Sequence, residues 1–165
     1  MDSTFENFSI RARHVIFGTR VKAGRRGAEF IDVGDLISAI ILEDQDMTRE
    51  LTGHEGDGQI GRMHGWEPHT PFFSKSSASD LLAGLETLLP RSSPTPDTRD
   101  TTMTPDLRRI FRSAESGLEE FHHKQVEPLH LLAAALELPS RPEVDLLKRA
   151  GINEEDVRAK LKEFY

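Results

Sequence analysis

The sequence predicts an all-α fold, a pseudo-twofold tandem of two four-helix repeats, on three observations. An apolar pattern occurs twice: Leu36, Ile37, Ala39, Ile40 and Ile41, within VGDLISAIIL (33–42), stand 95 residues before Leu131, Leu132, Ala134, Ala135 and Leu136, within EPLHLLAAAL (127–136). The segments ahead of these stretches keep the same offset, matching Val15 with Ile110, Ile16 with Phe111, Thr19 with Ala114 and Ile31 with Val126. The closing helices match at an offset of 76, Leu81 with Val157, Leu85 with Leu161 and Leu88 with Phe164. A unit that cannot bury its apolar faces alone implies that two units share one core. The two offsets differ by 19, so residues 44–75 are expected to hold an insertion of that length in the first repeat.

The elements follow from local signals. Ser9 is a good N-cap with Phe8 ahead of it, and Ala12, Val15, Ile16, Thr19 and Ala23 recur at helical spacing until Gly24 and Gly27 supply a stop. Phe30 and Ile31 lead into a second helix over 33–43. Residues 44–75 predict a long loop with one helical turn at 47–51, pinned by Trp66, Phe72 and Phe73. Ser79-Asp80 reads as the cap of a third helix with Leu81, Leu82, Leu85, Leu88 and Leu89 as its apolar face. Residues 90–103 are rich in Pro, Ser and Thr and read as a linker between a first repeat over 1–89 and a second over 104–165. Thr104-Pro105-Asp106 is a strong helix start, and Leu107, Ile110, Phe111, Ala114, Leu118 and Phe121 form the cleanest amphipathic face in the chain. Glu127-Pro128 opens the next helix, Pro139 ends it, a short helix through Val144 and Leu147 stops at Gly151, and Asn153 caps the last.

Composition narrows the function. The chain has 165 residues and a formal net charge of −7, which disfavours nonspecific binding of the whole surface to nucleic acid or anionic membrane. No apolar run approaches the ~20 residues of a membrane span, and MDSTFENFSI lacks the features of a secretory signal. There is no cysteine, which excludes disulfides, thiolate metal sites and a cysteine nucleophile and fits a cytoplasmic setting. Neither G-x-x-x-x-G-K-[ST] nor G-x-S-x-G occurs. His54, His64, His69, His122, His123 and His130 show no metal-ligand spacing, so no metal, cofactor or catalytic residue is expected. His130 is expected to cap or pack in the core.

The ordered set FSIRARHVI (8–16), Gly27, Ile31 and DLISAI (35–40), followed by TPDLRRIF (104–111), Val126, HLLAAAL (130–136) and LLKRAGINEEDV (146–157), resembles the repeat of the Clp N-terminal domain. That domain heads the Clp ATPases of the AAA+ class and also occurs alone. The resemblance implies a helical recognition module that binds substrates or adaptors, or docks on the Clp ATPase or protease ring. Family members that read phosphoarginine use the Glu of a Thr-Glu-His motif; here Gly34 and Leu129 stand at that position, so this ligand is not expected. The helix-start hydroxyls are kept as Ser9 and Thr104.

The run 11–26 contains Arg11, Arg13, Arg20, Lys22, Arg25 and Arg26 and no acid. It fits a solvated face balanced by acids elsewhere, or an electrostatic face for an acidic partner. Ser9, Thr104, Arg11, Arg13, Arg25, Arg26, Trp66 and Phe72 are accordingly the candidate protein-binding residues. Two alternatives stand beside this reading: the N-terminal part of a full-length Clp ATPase, or a repurposed regulator that places its basic face on nucleic acid.

Overall fold

The computed structural model describes residues 5–47, 71–90 and 102–164. Helix α1 spans Ile10–Arg25, with the Ser9 hydroxyl accepting the Ala12 N–H at 3.1 Å. Gly24 lies inside this helix; the reversal comes at Gly27, at φ +69°, where Ala28 N–H returns to the Ala23 carbonyl at 2.9 Å. Strand β1, Phe30–Ile31, then leads to helix α2, Val33–Asp44, which is buried along its whole length. Its capping box joins Asp32 and Asp35.

Helix α3 runs Lys75–Leu88 and is capped by Ser74, not by Ser79 as expected. The extra turn carries the buried Ala78, which extends the apolar series to positions 78, 81 and 85, so packing sets the start ahead of the Ser79-Asp80 signal. Leu88, expected on the apolar face, is exposed. Just before α3, the Asp44 carboxylate accepts the N–H groups of Phe72 and Phe73 at 2.8 and 3.0 Å, and Phe73 is buried. The helical turn expected at 47–51 falls largely outside the described residues.

Strand β2, Thr102–Met103, pairs in parallel with β1, Phe30 opposite Thr102 and Ile31 opposite Met103. This short ladder lies in a stretch read from sequence as linker; two-residue strands carry no periodicity to find. Helix α4, Pro105–Phe121, is capped by Thr104 and ends at His122 in the left-handed region. Helix α5, Pro128–Leu136, follows, then α6, Pro142–Arg149, and α7, Glu154–Phe164, where the Asn153 side chain accepts the Asp156 N–H at 2.9 Å.

The central helices α2 and α5 touch each other. Each gathers its own repeat: α1 and α3 pack on α2, while α4 and α7 pack on α5. Leu81 and Leu85 of α3 and their counterparts Val157 and Leu161 of α7 are all buried, and a single apolar cluster runs through both repeats. The structure is thus the all-α two-repeat fold, with β1 and β2 as a minor tie.

Candidate functional site: the repeat junction and its groove

The junction is built from reciprocal hydrogen bonds at the 95-residue offset. Ser9 N–H donates to the Val126 carbonyl at 3.0 Å, and Thr104 N–H donates to the Ile31 carbonyl at 3.0 Å. The Ser9 hydroxyl donates to Glu127 at 2.9 Å, and the Thr104 hydroxyl donates to Asp32 at 3.0 Å. Each cap of an outer helix therefore binds the acid that starts the central helix of the other repeat. Both hydroxyls named as candidate contacts are engaged here. The two junctions differ in one cation: Arg141 donates to Asp32 at 2.9 Å and to Asp106 at 3.2 Å, and also pairs with Glu143. Burial pushes the Asp32 carboxyl up, but the Val33 N–H and Arg141 outweigh it and hold Asp32 below its ordinary value.

One turn into each central helix, the repeats solve the same task differently. Asp35 accepts the Asp32 N–H at 2.9 Å and His130 accepts the Glu127 N–H through Nδ1 at 2.8 Å. Asp35, 0% exposed, is closed by a bidentate pair with Arg26 at 2.8 and 2.7 Å. Donating to the Asp35 carboxylate raises the Arg26 pKa above its ordinary value. His130 instead meets His123, Nε2 to Nδ1 at 2.7 Å, with Phe121 against its edge. Because Nδ1 of His130 accepts, its Nε2 carries the proton and donates to His123. Burial, with His123 adding to it, pushes His130 down to about 4.

The basic run divides by direction. Arg11 forms a bidentate pair with Glu43 at 2.6 and 2.8 Å, Lys22 reaches Glu86 at 2.7 Å, and Arg26 is taken by Asp35. Arg13 and Arg25 are exposed, Arg13 donating to the Glu6 carbonyl at 3.3 Å. Phe72 is half-buried against Phe73 and the core. Trp66 and the histidines at 54, 64 and 69 lie outside the described residues.

The positions that replace the acidic residue are closed. A Cβ on Gly34 would stand 2.7 Å from the Leu89 side chain and 3.4 Å from that of Glu143. Leu129 packs partly buried against the core.

The concave feature of interest is a groove of about 360 Å³ beside the Ser9 junction. Phe5, Phe8, Phe111 and Met103 line it, and Arg108, Arg112 and Glu115 form its polar edge. The three rings meet edge-on, with centroids 5.1 to 6.1 Å apart. Sequence reading did not assemble this site: Phe5 precedes any periodic segment, and Phe111 was counted only as core. A smaller hollow of about 200 Å³ lies between α4, α5 and α7, where Arg158 stacks over Phe121 at 5.0 Å and pairs with Glu120. Among the described residues no group of three or more His, Asp or Glu is placed to hold a metal ion, and no helix is long and apolar enough to cross a membrane.

Geometry thus defines a helical tandem-repeat module with an apolar groove at its seam. Residues 102–165 match the family described as the Clp repeat (R) N-terminal domain. Over 95% of its length the chain superposes on the N-terminal domain of the Clp protease-associated chaperone ClpD from Arabidopsis thaliana, with a TM-score of 0.64, 15% identity and 93% of that chain covered. It superposes equally on the Hsp104 N-terminal domain from Candida albicans, with a TM-score of 0.62, 16% identity and 90% coverage of that chain. A structure described as part of a malarial protein secretion system gives a TM-score of 0.65 at 12% identity, with 95% and 93% of the two chains covered. No curated protein matches the sequence significantly. The second repeat carries the Clp repeat in its sequence, and the chain as a whole has the Clp N-terminal domain fold.

Proposed function

We propose that this chain is a non-catalytic protein-binding module that takes apolar segments of substrate or adaptor proteins into the seam groove and serves a Clp unfoldase or protease ring. The carrying observation is the groove itself: an apolar concavity whose floor is the buried rings of Phe8 and Phe111, with half-buried Phe5 and Met103 beside them, edged by two exposed arginines. Aromatic and arginine groups of this kind are the usual anchors of protein interfaces. The floor is apolar and holds no nucleophile–base pair, which supports recognition over chemistry. Of the residues named from sequence, Arg13 and Arg25 are exposed and remain proposed contacts outside the groove, whereas Ser9, Thr104, Arg11 and Arg26 are proposed to act by holding the module's shape.

The test is an NMR titration with a permanently unfolded polypeptide, reduced and carboxymethylated α-lactalbumin. Shifts confined to Phe5, Phe8, Met103, Arg108 and Arg112, with binding lost in an Arg108→Glu/Arg112→Glu variant that stays folded, support the reading. Binding that ignores this variant, or no binding, refutes the groove as the site. Recovery of a Clp ATPase or protease subunit on immobilised wild-type chain, and its loss with the same variant, tests the proposed partner.

A further inference from the structure

We infer that the outer face of α1 is a second docking surface, fitted to an acidic amphipathic helix of a partner protein. Ile10, Arg13, Phe17 and Arg20 stand at i, i+3, i+7 and i+10, one stripe about 15 Å long. Ile10 is 46% exposed and Phe17 is 55% exposed, the most open large apolar side chain among the described residues. The stripe alternates these two apolar groups with two exposed arginines.

The charge pattern on α1 says what fits there. Its inward cations each meet a carboxylate from a neighbouring helix: Arg11 has Glu43, and Lys22 has Glu86. Arg26, just past the helix end, has Asp35. Arg13 and Arg20 make no ion pair among the described residues, and no acid occurs anywhere on α1. A chain with a net charge of −7 that leaves two cations beside two open apolar groups presents a local field opposite to its overall one. The complement is an apolar seam flanked by carboxylates. Ile10 and Phe17 are seven residues apart, the heptad spacing at which a partner helix of about three turns presents successive apolar side chains. A nucleic acid would meet the two arginines but would bury neither Ile10 nor Phe17, and it would be repelled by the rest of the surface. This face is separate from the groove residues, so it goes beyond the proposed groove function and does not depend on it.

The probe is a synthetic 21-residue helix with Leu at heptad positions a and d and Glu at e and g, with a Lys-for-Glu version and a 12-base-pair DNA duplex as controls. Fluorescence anisotropy at low salt is expected to show binding of the Glu peptide alone. Arg13→Glu/Arg20→Glu and Phe17→Ala are each expected to weaken it at least tenfold, with circular dichroism confirming the fold. Arg108→Glu/Arg112→Glu, at the groove, is expected to leave it unchanged. Absence of binding, equal binding of the Lys peptide, indifference to the α1 substitutions, or preferential binding of the duplex each overturns the inference. If the groove variant loses α-lactalbumin while the α1 variants do not, the two surfaces stand or fall separately.

Discussion

Replacing Arg26 by Ala is expected to destabilise the fold far more than a surface arginine would. The guanidinium is 10% exposed, grips both oxygens of Asp35, and also donates to the Pro90 and Phe30 carbonyls at 3.2 and 3.4 Å. One side chain thereby ties the end of α1, strand β1, the start of α2 and the chain leaving α3. Its removal strands the Asp35 carboxylate, 0% exposed, with the Asp32 N–H as its other hydrogen bond. Breaking a buried pair from one side costs about 3–5 kcal/mol, a large share of the roughly 5–15 kcal/mol typical of a domain. With an m-value of about 2 kcal/mol/M in urea, the midpoint should fall by about 2 M at unchanged slope. Arg26→Lys should fall between, since an ammonium cannot hold both oxygens in a planar fork. The decisive comparison is Arg26→Leu against Arg26→Leu/Asp35→Asn. The second change removes the stranded charge while keeping an oxygen for the Asp32 N–H, so the double variant should be the more stable of the two. Urea unfolding followed by circular dichroism measures all four. A loss under 1 kcal/mol for Arg26→Ala, or a double variant weaker than Arg26→Leu, refutes the assignment of Arg26 as the counter-ion that permits a buried acid.

The buried His130 of the second repeat should make the fold acid-labile. His130 is depressed to about 4 from an ordinary value near 6.5, so its contribution is complete above about 6.5 and is lost as pH falls toward 4, amounting to about 3 kcal/mol. Imidazole ¹⁵N spectra should show Nδ1 unprotonated at pH 7 and a titration midpoint near 4; a midpoint near 6.5 contradicts the buried neutral tautomer. Ser9→Ala and Thr104→Ala each delete a helix cap and a cross-repeat bond, and each should cost about 1–2 kcal/mol in thermal or urea unfolding, while Thr104→Ser should cost little. Gly34→Glu, which restores the family's acidic type at that position, places atoms into Leu89 and should cost at least 1–3 kcal/mol without creating a ligand site. A stable Gly34→Glu variant would show that the α2 start has room to spare.

How much of this was legible depended on whether the signal was periodic. The central helices, the Thr104 start and the Asn153 cap follow from spacing and capping chemistry, and each stands where those rules put it. The start of α3 did not, because Ser79-Asp80 imitates a cap while Ala78 decides by packing. The basic run read as uniform because sequence shows charge but not direction; the pairs that divide it lie 9 to 64 residues apart. One clue was present: Asp35 sits inside VGDLI, where a buried acid needs a cation. The groove had no such clue, since its walls come from an aperiodic start and from the edge of a core helix.

The reciprocal caps have a consequence for how the chain can come apart. Ser9 serves Glu127 and Thr104 serves Asp32, so the acid that starts each central helix takes one of its hydrogen bonds from the other half. Unfolding of one half removes all four of these reciprocal bonds at once, which makes a single cooperative transition the expected behaviour. Each half carries the donor and the acceptor both, so the junction is of the self-complementary kind in which each side gives what it receives.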